Sequence, residues 1–121
     1  MKVNRLLIKY KKVFEKTAMG LLSYLPDFKN LKNLQDEMKL YDIDDSKELY
    51  LYQDDEHNIV GIVGVELCSE YIVLCYLSLA PGFRDDKHQG QIMNELAKES
   101  SKRKIMTVPE YTSLMKYLKN E

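Results

Sequence analysis

Two stretches of this chain are apolar along nearly their whole length, and a single short turn separates them. Ile59-Val60-Gly61-Ile62-Val63-Gly64-Val65-Glu66-Leu67 runs into Cys68-Ser69-Glu70-Tyr71, and Ile72-Val73-Leu74-Cys75-Tyr76-Leu77-Ser78-Leu79 follows. Side chains of a strand point alternately to its two sides, so a strand apolar at every position is buried on both faces. Such a sheet needs helices above and below it, which predicts a layered α/β (α+β) fold rather than a sandwich. With Ser69 and Glu70 at the tip of the hairpin, Gly64 falls opposite Cys75 and Val63 opposite Tyr76.

The rest of the chain supplies the covering layers. Leu6-Leu7-Ile8-Lys9-Tyr10 suits a first strand. Phe14, Ala18, Leu21, Leu22 and Leu25 recur at helical spacing, with Pro26 closing that helix. Phe28, Leu31, Leu34, Met38 and Tyr41 predict a second amphipathic helix, with Asp27 as its N-cap. Leu49-Tyr50-Leu51-Tyr52 opens the meander, and Asp54-Asp55-Glu56-His57-Asn58 is its first turn. Ala80-Pro81-Gly82-Phe83-Arg84 breaks the last long strand, and Ile92, Met93, Leu96 and Ala97 form the stripe of a third helix. A short strand at Lys104-Ile105-Met106-Thr107-Val108 follows. Thr107-Val108-Pro109-Glu110 has the form of a capping box, so a last helix should turn Tyr111, Leu114, Met115 and Leu118 inward.

The chain has 121 residues, of which 45% are hydrophobic and 31% charged, enough for one core and one domain spanning 1–121. A formal charge of −1 argues against nucleic acid or a membrane surface as a general partner, because both reward excess positive charge. No apolar run reaches the ~20 residues that cross a bilayer, and the charged N-terminus lacks the pattern of a secretory signal, so a cytoplasmic location is expected. Two cysteines and two histidines in no cluster predict neither a disulfide framework nor a metal site.

The order strand, two helices, three meander strands, helix, strand, helix resembles the GNAT acyltransferase fold. The likeness is sharpest at Leu77-Ser78-Leu79-Ala80-Pro81-Gly82-Phe83-Arg84, where a strand ends in Pro-x-x-Arg ahead of a helix. The closer resemblance is to the RibT-type group of riboflavin operons. It is carried by Leu7-Ile8-Lys9-Tyr10-Lys11-Lys12-Val13-Phe14-Glu15-Lys16-Thr17-Ala18-Met19-Gly20-Leu21-Leu22-Ser23-Tyr24-Leu25-Pro26 and by Val60-Gly61-Ile62-Val63-Gly64-Val65-Glu66. The resemblance implies a GNAT-like mixed central sheet with helices on both faces, shortened at its C-terminus. It implies acetyl-CoA as acyl donor and an amine acceptor, either a small molecule or a protein amine. A homodimer would be one way to supply pocket walls in trans.

The resemblance also implies roles for particular residues. Backbone groups of Leu77, Ser78 and Leu79 would hold the thioester and pantetheine, the alternative being an ordinary core strand. Arg84, Lys87, His88, Gln89 and Gly90 would line the pyrophosphate. In that family the loop follows Arg/Gln-x-x-Gly-x-Gly/Ala, and bare amides at a helix N-terminus attract phosphate. Counted from Arg84 without gaps, Lys87 and Gln89 stand at the glycine positions. A register sliding to Lys87-His88-Gln89-Gly90 recovers one glycine but turns Glu95 and Glu99 into the core, so the gapless register is preferred. Asp85 and Asp86 oppose a polyphosphate. Glu66, a carboxylate interrupting an apolar strand, is the candidate base, or else an exposed strand-end residue. Tyr117 is the candidate acid for the departing thiolate, or else a half-buried tyrosine of a terminal helix. His57 and His88 lie in polar loops with no relay partner apparent. Tyr50, Tyr52 and Tyr76 would wall an acceptor pocket or simply pack. The acidic stretch from Asp42 to Glu56 would steer a cationic acceptor or solubilise the surface. A degenerate GNAT-fold binding module is the alternative to an enzyme.

Overall fold

The computed structural model describes residues 6–99 and 102–118. Five strands form one sheet in chain order: β1 (Leu7–Lys9), β2 (Lys47–Gln53), β3 (Ile59–Leu67), β4 (Tyr71–Leu79) and β5 (Lys104–Thr107). The first four are antiparallel to their neighbours, and β5 runs parallel to β4. Helices α1 (Glu15–Leu22) and α2 (Leu31–Ile43) separate β1 from β2, and α3 (Asp86–Glu99) crosses from β4 to β5. A 3-10 segment, Pro109–Tyr117, follows β5. The sheet is buried on both faces, as its apolar strands require. Leu22, Leu34, Met38, Leu51, Ile62 and Tyr76 build one core under α1 and α2. Tyr52, Val63, Val65, Leu74, Leu77, Ile92, Met93 and Leu96 build the other under α3.

Helix α3 has the stripe of the gapless register: Ile92, Met93 and Leu96 are 0% exposed, while Glu95 is partly exposed and Glu99 is exposed. Four local expectations are corrected. Helix α1 stops at Leu22, short of Pro26, because Leu25 precedes proline and is driven to extended backbone (φ −82°, ψ 138°). Asp27 belongs to a 3-10 turn, Pro26–Phe28, and the N-cap of α2 is Asn30, whose Oδ1 accepts from the N–H groups of Lys32 (2.8 Å) and Asn33 (3.2 Å). Thr107 forms no capping box, since Val108 is the N-cap of the 3-10 segment and no side chain caps it.

The fourth correction concerns register. Leu67, Glu66 and Val65 pair with Ile72, Val73 and Leu74, as a Ser69–Glu70 tip demands. The register then slips by one at a β-bulge, so Gly64 faces Tyr76 and Val63 faces Leu77. Cys75 is the extra residue.

Candidate functional site

Strands β4 and β5 part company halfway along β4. Their pairing runs from Tyr71 opposite Lys104 to Leu74 opposite Thr107, and the Val108 N–H closes it on the Leu74 carbonyl at 3.0 Å. Beyond that point β4 continues to Leu79 while the chain after β5 turns into the 3-10 segment. The gap opens onto a cavity of about 310 Å³ whose walls include residues 77–79, Arg84, Gln89 and Tyr111. The backbones of Leu77 and Leu79 face the gap. The Tyr111 phenol lies near the Leu77 N–H, and the Leu79 carbonyl accepts from Arg84 Nε at 2.7 Å. The Arg84 guanidinium also lies over the Tyr24 ring, 5.0 Å from its centre.

Of the residues expected at the cofactor, Leu77, Ser78, Leu79, Arg84 and Gln89 line the cavity. The Ser78 hydroxyl itself turns away, donating to the Leu21 carbonyl of α1. The bend after β4 takes its positive φ at Gly82 (+92°), where a side chain would be strained. Gln89 is helical and its amide donates to the Arg84 carbonyl at 3.1 Å. Gly90 lies inside α3 and faces the Tyr117 ring, 3.4 Å from where a Cβ would stand.

The N-terminus of α3 is capped from within. Asp85 Oδ1 accepts from the His88 N–H at 2.9 Å and meets His88 Nδ1 at 2.6 Å. These bonds hold the Asp85 carboxyl below its usual range. His88 is therefore not the solvated, partnerless histidine expected from a polar loop: it is half-buried, with Phe83 and Tyr52 set edge-on to its ring. The amides of Asp86 and Lys87 have no partner among the described residues, so the helix end still offers two N–H groups beside the exposed Lys87.

Glu66 and Tyr117 stand outside the cavity walls. Glu66 pairs with Lys47 across β2 and β3, at 3.9 Å, and is half exposed. It faces Val73, on the paired half of β4. Tyr117 donates to Asp86 and, at 3.2 Å, to Gln89 Oε1; the bond to Asp86 raises its pKa above the ordinary phenol value. Tyr50 and Tyr52 are buried core residues, and Tyr52 donates to Gln91 Oε1 at 2.7 Å. Tyr76 donates to Glu37 Oε2 at 2.8 Å, and Tyr41 meets both of them between α2 and β4. Tyr24, Tyr111 and Ser113 are wall residues that sequence reasoning missed as such. Tyr111 carried only the periodicity of a core position. Among the described residues no group of His, Cys, Asp or Glu could hold a metal ion, and no helix is long and apolar enough to cross a membrane.

No family model matches the chain. Over 86 residues, 70% of this chain and 68% of its relative, it is 45% identical to an uncharacterized N-acetyltransferase in the lysA 3' region of Bacillus methanolicus. The chain belongs to the GNAT N-acetyltransferases. Solved GNAT structures share its fold at low identity. The aminoglycoside N-acetyltransferase AAC(6')-Iy in complex with CoA superposes with a TM-score of 0.67 at 15% identity, over 91% of this chain and 81% of the other. A chimeric spermidine N-acetyltransferase made from Vibrio cholerae SpeG and hSSAT does so with a TM-score of 0.67 at 13% identity, over 92% and 76%.

Proposed function

We propose that this GNAT domain transfers an acetyl group from acetyl-CoA to a primary amine in the cleft between β4 and the 3-10 segment. The observation that carries this reading is the unpaired half of β4, which lines a cavity with the Leu77 N–H and the Leu79 carbonyl turned towards it. An extended ligand bearing amides pairs with such an edge as an added strand would. A fixed N–H at the thioester carbonyl stabilises the charge that develops there. The chain's own groups would hold the donor: Leu77 and Leu79 by backbone, Arg84 and Lys87 by charge, and the first amides of α3 by their dipoles. The amine nitrogen then attacks the carbonyl carbon, the carbon–sulfur bond breaks, the ammonium loses a proton and the thiolate gains one. Much of the rate would come from holding both reactants together.

Glu66 and Tyr117 enter only as the base and acid that the sequence resemblance implies. Neither position favours direct contact with a thioester in the cleft. The likeness to spermidine and aminoglycoside acetyltransferases supports polycationic small amines as first acceptors to try. A link to riboflavin synthesis rests on the RibT-type sequence resemblance alone. A second reading, a binding module without transferase activity, is favoured by one observation: Asp85 already places an anion at the end of α3.

Calorimetric titration with acetyl-CoA and release of free CoA thiol in the presence of spermidine test the reading. Saturable binding and amine-dependent thiol release are expected, together with a rise in melting temperature. A folded protein silent to millimolar acetyl-CoA would leave only the binding module. Glu66→Gln should leave kcat within about fivefold, because an exposed pair is worth at most ~1 kcal/mol and lies outside the cleft. A loss above a hundredfold would restore Glu66 as the base.

A further inference from the structure

Tyr111 holds a position that no other residue of the 3-10 segment shares. It packs against both hydrophobic cores, the one under α1 and α2 and the one under α3. These cores lie on opposite faces of the sheet. A side chain from one short segment can touch both only by lying in the opening where β4 and β5 part. Tyr111 is also the one point at which the backbone of that segment leaves helical geometry (φ −114°, ψ 15°). It lines the cavity together with Leu77, its phenol oxygen near the Leu77 N–H, and Arg84 answers the Leu79 carbonyl two residues on. Two of the backbone groups that the parted strands leave without a β5 partner are therefore approached by side chains of the chain itself.

We propose that Tyr111 is an intramolecular occupant of the acyl-donor slot, and that it sets the affinity and the admitted size of the donor. The inference rests on the proposed acetyl-CoA reading. A thioester carbonyl that takes the Leu77 N–H must first move the phenol, and a chain lying along β4 must move the ring. The cost of that displacement is subtracted from donor binding. The cavity beside Tyr111, about 310 Å³, is at the small end for a ligand site and grows when the ring leaves. An acetyl group needs the least displacement, and longer acyl chains need more.

Titration calorimetry on the full chain with CoA, acetyl-CoA and butyryl-CoA, for wild type, Tyr111→Phe and Tyr111→Ala, tests this. Tyr111→Phe keeps the ring and removes the oxygen, and acetyl-CoA should bind roughly two- to tenfold tighter. Tyr111→Ala should bind butyryl-CoA with the larger gain while its melting temperature without ligand falls. Lower stability with tighter binding marks a displaced occupant, because a merely structural residue would weaken both. Binding by the variants where wild type shows none would support the proposal equally. Unchanged or weaker donor binding in Tyr111→Phe, with wild type binding normally, overturns the inference and leaves the acetyltransferase reading standing. Circular dichroism checks the fold, and if Tyr111→Ala does not fold, Tyr111→Phe decides. Silence of all the folded proteins to every probe overturns both.

Discussion

Gly64→Ala should be among the most damaging one-methyl changes in this protein, although its backbone needs nothing unusual. The Cβ of an alanine there would stand 2.4 Å from Cε1 and Cζ of the Tyr76 ring and 2.9 Å from Tyr41 Oη. Carbon atoms pack at ~3.5–4.0 Å, so the ring must retreat by about 1 Å or more. It has little room to do so. Tyr76 is 9% exposed, lies edge-on to Phe28 at 5.4 Å and donates to Glu37 at 2.8 Å. Overpacking a tight site costs about 1–3 kcal/mol, and losing a hydrogen bond to a charged group costs ~1.5–3 kcal/mol more. The better strand behaviour of alanine returns only ~0.5–1 kcal/mol. A net loss of roughly 2–5 kcal/mol follows, a large part of the total for a domain of this size. Urea denaturation followed by circular dichroism measures it. Gly20→Ala is the control, since a Cβ there meets nothing within 4 Å and α1 should gain up to ~1 kcal/mol. The deciding measurement is the double mutant. In a Tyr76→Leu background most of the Gly64→Ala penalty should vanish, because the ring that causes it is gone. A penalty that persists there, or one below about 0.5 kcal/mol in wild type, would show that the ring does not lie over Gly64.

Two further outcomes follow from local chemistry. Cys68 is exposed in the β3–β4 turn, while Cys75 is half-buried and burial raises its thiol pKa. Iodoacetamide at pH 7.5 should alkylate Cys68 at least ~10-fold faster, read by peptide mass spectrometry; equal rates would refute the placement of Cys75 at the bulge. The Asp85 carboxyl is held below the ordinary 3.8 by its bonds to His88, so its contribution is complete above that value and is lost as pH falls through the lower folded one. Asp85→Ala should therefore weaken α3 at neutral pH and flatten the wild-type loss of helicity below about pH 4; identical acid titrations would refute the cap.

How far the chain could be read in advance depended on whether a feature is local. Burial of both sheet faces followed from residues 59–67 and 72–79, whose apolar positions leave no polar side to face water. The stripe of α3 followed from Ile92, Met93 and Leu96 at helical spacing. Asn30 was missed as the N-cap of α2 because Asp27 and Asn30 are equally good caps in isolation. The proline-led turn at Pro26–Phe28, which consumes Asp27, depends on how α1 and α2 meet. Tyr111 and Leu114 share a helical period and look alike as text. Only the parting of β4 from β5 sends Tyr111 into the opening and Leu114 into one core.

The bulge at Cys75 ties these points together. Up to Leu74, even-numbered residues of β4 face α3: Ile72 and Leu74 lie in that core, and the Leu74 carbonyl bonds towards β5. Uninterrupted alternation would put Tyr76 and Ser78 on the α3 face and turn their amides to the gap. One extra residue reverses both assignments. Leu77 and Leu79 take the α3 core and present their backbone to the cavity, while Tyr76 and the Ser78 hydroxyl turn to the α1 and α2 side. A hairpin register counted from Ser69 and Glu70 holds as far as Leu74 and necessarily fails beyond it, at the start of the segment that lines the cleft. Gly64 is the trace of the bulge in the sequence. It sits in an apolar strand where β-branched residues are favoured, and the structure gives the reason: the slip lays the Tyr76 ring across it. A strand glycine opposite an aromatic residue is therefore a readable sign that a backbone edge has been re-aimed, and here the re-aimed edge is the wall of the candidate site.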